Sequence, residues 1–177
     1  MSCANQTLKG IGKPCEGSMG GIIEVYITNW QDGLYSIDSG TSEVSGITTG
    51  ISWYVYHFRP NSSSLSQAST IDPTNGTNYI TTTVNLVFSR MDTEKRVELN
   101  ALKLAELAVI VKDANGKYYA LGEVAPVVAN SVAGESGTAR SDGNRYTLVI
   151  EDTNPEIPAF IPKSVIDTLT LVENNGQ

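Results

Sequence analysis

The chain has 177 residues, 40% hydrophobic and 18% charged: long enough for one well-buried core and too short to need two. Nineteen acidic against twelve basic side chains leave a net charge of −7, with no run of Lys and Arg to neutralise nucleic-acid phosphates. No window nears the roughly 18 apolar residues of a membrane span, and Met1 to Lys9 lack the apolar stretch of a secretory leader, so folding in a cytoplasm is expected.

Residues 1–18 hold Gly, Lys, Pro and Ser with few apolar residues and read as an irregular N-terminal arm. Cys3 and Cys15 fall within it. They are expected as free thiols, with a disulfide after release as the alternative. Two thiols would need two further ligands to hold a metal, and His57 is the only histidine. Gly17 to Gly21 has no following Lys-Ser or Lys-Thr and is not a phosphate loop.

A single β-barrel or sandwich domain is expected over 19–155. Ile22–Ile27 is its first strand, with Ile23, Val25 and Ile27 on one face and Ile22, Glu24 and Tyr26 on the other. Ser36–Gly50 is polar with isolated apolar residues, Ile37, Val44 and Ile47, and reads as a weak hairpin or a loop. Gly50–Phe58 is a clear strand. Trp53, Val55 and His57 share one face; Tyr54, Tyr56 and Phe58 share the other.

Arg59–Asn78 reads as a long polar connector. Leu65, Ala68 and Ile71 would be wasted in a solvated linker. Either the connector tucks them onto its own domain, or it docks them on a neighbouring subunit.

Tyr79–Phe88 is rich in β-branched and aromatic residues and reads as one long strand. Asp92 is a good N-cap for a helix over 92–105. Val97, Ala101, Leu104 and Ala105 recur at helical spacing and are expected to face the sheet, with Leu99 and Leu102 widening the stripe and Asp92 pairing with Arg96. Leu107–Val111 is an apolar strand, turned by Asp113–Gly116 into a partner over Lys117–Gly122. Leu121–Asn130, interrupted by Pro126, reads as irregular or as an edge strand. Asp142-Gly143 signals a turn before the strand Asn144–Ile150. Pro155, Pro158 and Pro162 then mark 156–177 as a C-terminal arm or terminal strand, with Ile157, Phe160 and Ile161 along it and a short strand over 165–172.

Catalytic chemistry is sparse. His57 lies on a strand between aromatic residues, with no nucleophile-elbow sequence to pair with it, and is expected as a packed or hydrogen-bonded side chain. Asp113-Ala114-Asn115-Gly116 lacks the further ligands of a calcium loop and is explained by a hairpin turn. Glu151 and Asp152 are adjacent on a strand, so they point to opposite faces. No catalytic residue, metal site or cofactor is expected.

Four features in order give the stretch from Tyr79 to Ile161 a family likeness. The Thr-rich strand ends in Leu86-Val87-Phe88-Ser89-Arg90-Met91 and runs into the helix. Leu107 to Asp113 then turns at Asn115-Gly116 into Tyr118 to Gly122. Ser136-Gly137-Thr138-Ala139 precedes Asp142-Gly143 and the strand Tyr146–Ile150. The exit runs through Pro158-Ala159-Phe160. In these features, over about half its length, the chain resembles the tail tube (major tail) proteins of tailed bacteriophages.

That resemblance implies a mainly β fold, a β-barrel flanked by one helix. Six copies would close into a ring, and rings would stack into a tube conducting DNA from capsid to host. The implied partners are further copies of the chain, other phage tail proteins, and genomic DNA passing without specific binding. The implied location is the virion tail, assembled in the host bacterial cytoplasm. Leu65, Ala68 and Ile71, with Ile47, Phe160 and Ile161, are the candidate subunit-interface residues. The rival expectation is a carbohydrate-binding β-sandwich, in which Trp30, Trp53 and the tyrosines would stack on sugar rings.

Overall fold

The structure is a computed structural model that describes residues 10–12 and 17–174. Residues 1–9 and 13–16 of the expected N-terminal arm, Cys3 and Cys15 among them, lie outside the described residues. The elements follow in the order β1 (Ile22–Asn29), β2 (Tyr35–Ile37), β3 (Val44–Ile47), β4 (Ser52–His57), β5 (Ser64–Asp72), β6 (Thr77–Ser89), α1 (Thr93–Leu102), β7 (Leu107–Asp113), β8 (Tyr118–Leu121), β9 (Val128–Glu135), β10 (Arg145–Asn154), β11 (Phe160–Ile161), α2 (Lys163–Ile166) and β12 (Thr170–Glu173).

The apolar run Leu107–Val111 sets the architecture. A strand apolar on both faces needs cover on both sides, and all five residues are buried. β7 lies inside a six-stranded sheet of order β11-β8-β7-β1-β4-β12. One face of that sheet, with Val25, Ile27, Phe58, Val109 and Val111, packs on Val84, Leu86, Leu148 and Ile150 of a four-stranded sheet of order β5-β6-β10-β9. The other face, with Tyr26, Trp53, Ala108 and Ile110, is covered by Leu34, by Val44 and Ile47 of the β2–β3 hairpin, and by Ile166 of α2. The fold is thus mainly β and layered. The sheets stay open, so the barrel form of the expectation gives way to a sandwich, and a second short helix joins the expected one.

β4 alternates as expected: Trp53 and Val55 face one core, Tyr56 and Phe58 the other. β1 does not. A register shift against β7 between Ile22 and Glu24 moves Ile22 onto the face of Val25 and Ile27 and leaves Ile23 largely exposed. One extra residue in a strand reverses the facing of everything on one side of it.

The expected helix face is also corrected. Asp92 caps α1 by accepting from the Lys95 amide at 2.8 Å, and its carboxylate pairs with the Lys95 ammonium rather than with Arg96. Leu99 and Leu102 are buried, whereas Val97 is 57% and Leu104 82% exposed. Apolar residues run most of the way round this short helix, so spacing alone leaves its rotation undetermined. Tyr56, whose hydroxyl donates to Glu98 at 2.5 Å, helps fix it.

Arg59–Asn78 is not a loop. Ser64–Asp72 pairs along its whole length with β6, from Ser64↔Asn85 to Asp72↔Thr77. The segment after Asn154 packs back on the domain. β11 pairs with β8, β12 runs parallel to β4, and Ala159, Ile161 and Ile166 are buried. No helix among the described residues is long and apolar enough to cross a membrane.

Candidate functional site

The four-stranded sheet presents the most distinctive surface. Its outer strands, β5 and β9, each pair on one side only among the described residues. Seven of the eight β9 residues are exposed, Ala129 being the exception, and so are 66–71 of β5. Natural edge strands are commonly blunted by Lys, Pro or inward charges. Here residues 64–71 and 128–134 contain none of these. Backbone donors and acceptors therefore line two long edges whose charges, Asp72 and Glu135, stand only at their ends.

β5 and β6 together also form an arm. On the inner face the buried residues end at Asn154, opposite Ile80, and beyond that level β5 and β6 continue, paired, to the turn at Pro73–Gly76. Asp72 shapes this turn. Its carboxylate accepts from the Thr74 amide at 2.9 Å and from the Asn75 side-chain nitrogen at 2.6 Å. These bonds, the Thr74 amide's first, hold its pKa below the usual carboxylate value.

The six candidate interface residues do not form one patch. Leu65 is half-buried and packs on the inter-sheet core. Ile71 shares its face but lies out along the arm, 67% exposed. Ala68 is exposed on the opposite face. Ile47 and Ile161 are buried in the second core. Phe160 is 41% exposed, its ring 5.0 Å from that of Tyr119. Ala68, Ile71 and Phe160 are thus the ones open to a partner.

Polar side chains form two clusters. At one, Glu24 accepts from Lys112 at 2.9 Å and from Tyr26 at 2.8 Å, with His57 Nδ1 3.8 Å away. Burial pushes the Glu24 pKa up, but these donors outweigh it and leave it low. His57 is mostly exposed rather than packed.

At the other, Asp152 and Asn154 project inward from β10 beside Thr82, all three buried. The Asn154 amide donates to Asp152 Oδ2, while Asp152 Oδ1 and Asn154 Oδ1 have no partner. Burial raises the Asp152 pKa to about 6, although the Gly122 amide draws it down. Burial also raises Glu123, which accepts from the Ala159 amide at 2.8 Å. Glu151 points the other way, as expected, and accepts from Asn130 at 2.7 Å. The inward placement of Asp152 and Asn154 was available from the run Leu148, Ile150, Asp152, Asn154 at period two.

Among the described residues, no group of three or more His, Cys, Asp and Glu is placed to hold a metal ion. Trp53 is fully buried and Trp30 donates to the Gly122 carbonyl at 2.9 Å. Trp53 therefore offers no face to a sugar ring. No protein-family model matches the sequence, and no curated protein matches it.

Proposed function

We propose that the chain is a structural subunit of the phage tail-tube kind. In this reading copies join edge to edge into rings of six, the number the resemblance implies, and the rings stack into a conduit for DNA. One observation carries it: a four-stranded sheet with two long edges facing opposite ways, charged only at their ends, by Asp72 and Glu135. β9 of one copy pairs with β5 of the next. A contact between two different surfaces of the same chain closes into a ring when its rotation allows. The two-layer packing behind the sheet gives each subunit a rigid back against which such edges can be held. The resemblance noted in the sequence points the same way.

Size-exclusion chromatography with light scattering, followed by negative-stain microscopy, tests the reading. Purified protein is expected to form rings or tubes. Lys in place of Ala68 on β5 and of Ala133 on β9 charges both edges and is expected to leave a folded monomer. Wild-type protein that stays monomeric at every concentration and salt tested overturns it.

A further inference from the structure

Three of the five arginines of this acidic chain line one groove. Arg59, Arg90 and Arg145, with Asn61 and Asn144, line a groove of about 530 Å³. Arg145 already pairs with Glu135 at 3.1 Å. Arg59 and Arg90 make no ion pair within 4.0 Å among the described residues, although Asp92, its pKa lowered first by its hydrogen bonds from Lys95, also feels the charge of Arg90.

The groove is also where the backbone is strained. Asn61 (φ 61°) and Arg90 (φ 66°) are two of three non-glycine residues with positive φ among the described residues. Such conformations persist where the surroundings hold them, and they cluster at functional sites. Asn144 does the holding: its carbonyl accepts from the Arg90 amide at 2.7 Å, and its side chain accepts from the Met91 amide at 2.7 Å. The result is a fixed origin for the Arg90 side chain.

The position of the groove identifies its occupant. It lies where β5 begins, β6 ends and β10 begins. The turn carrying Asp72 lies at the far end of the same β5–β6 pair. A 13-residue strand spans roughly 40 Å. One sheet thus bears a positively charged concavity at one pole and a negatively charged projection at the other. Asp72 is locked in orientation and held ionised by its turn. Arginine forks match carboxylates in two-point geometry.

We infer that this groove receives the Asp72-bearing turn of a second copy, so that copies join head to tail with Asp72 against Arg59 and Arg90. The inference rests on the reading of the chain as a self-assembling subunit and names the contact between successive layers.

Two full-length variants test it, Asp72→Lys and the double variant Arg59→Glu/Arg90→Glu, each checked for folding by thermal melting followed by circular dichroism. Should either unfold, Asp72→Asn and Arg59→Gln/Arg90→Gln replace them. Under conditions where wild-type protein stacks, each variant alone is expected to stop at single layers in micrographs. Mixed as preformed layers, they are expected to stack again, the two variants alternating, whereas the neutral Asn and Gln variants mixed are expected to stop at pairs. The intact groove of one accepts the intact turn of the other, and at the remaining faces the introduced ammonium meets the introduced carboxylates with the charges exchanged. Long stacks from either variant alone overturn the contact while leaving edge-to-edge assembly standing. Stacking lost with the arginine variant but unchanged by Asp72→Lys overturns the turn as occupant and points to another anion, such as a phosphate. Wild-type protein that forms no layers at all removes the proposed function and this contact together.

Discussion

Asp152 shows what a single buried carboxylate does to the fold. In an unfolded chain it titrates near the ordinary 3.8, and in the native fold near 6, because burial disfavours its charge. Between those values the native state binds more protons than the unfolded one. Its contribution is therefore most favourable below about pH 4 and falls as pH rises to about 6, by about 3 kcal/mol. Glu24, Asp72, Asp92 and Asp142 are shifted the other way and favour the native state as pH rises. Overall stability mixes the two, so a variant is needed to isolate Asp152. Asp152→Asn keeps the shape, removes the charge and supplies the donor that the partnerless oxygens of Asp152 and Asn154 lack. Its melting temperature relative to wild type is expected to climb between pH 4 and 6 and to stay higher above that. A difference that is flat with pH would show that Asp152 is already neutral or already compensated. The two inward-facing polar residues were legible from the alternation of β10. The loss of solvent around them was not, since it depends on β6 and the Gly122 segment arriving from elsewhere.

Elements were legible wherever side chains alternate strongly. β4 and β7 declare themselves because their apolar residues leave one or both faces no other place to go. β5 does not: Ser, Thr and Gln on both sides of the strand carry no period, and its partner is supplied by the backbone of β6 rather than by a core. The bulge in β1 is equally silent, being a property of its pairing with β7. For α1 the apolar residues were found and their facing was not. Leu99→Ala is expected to cost about 2–4 kcal/mol, because it opens a cavity between helix and sheet. Leu104→Ala, at an exposed position, is expected to change stability by less than about 0.5 kcal/mol. Chemical denaturation of the two variants checks this, and equal losses would return the helix to the facing first expected.

At the scale of the whole molecule, charge decides how the proposed assembly would treat DNA. The chain carries −7, and three of its five arginines are gathered in one groove rather than spread along a surface. A conduit lined with basic residues would hold each passing phosphate; one with a neutral or acidic wall would not. Assembled particles are expected not to retain duplex DNA at physiological salt in gel-shift titrations, and tight binding with a steep salt dependence would overturn the conduit as described. The six-stranded sheet has a consequence of another kind, in time. Its central pair joins β1 to β7, the first strand to one made some eighty residues later, and β12 closes on β4 across a still longer interval. Contacts so distant in sequence form slowly and only after the intervening chain exists. During synthesis β5 and β6 emerge before β7 can complete the layer behind them, and the unpaired edge of the hairpin is then present without its rigid back. Newly made chains meeting on one messenger would do so in that state. The Ser, Thr and Gln of β5 give that edge little apolar surface to bury against another chain, so the composition that hid the strand from view in the sequence also weakens early association through it.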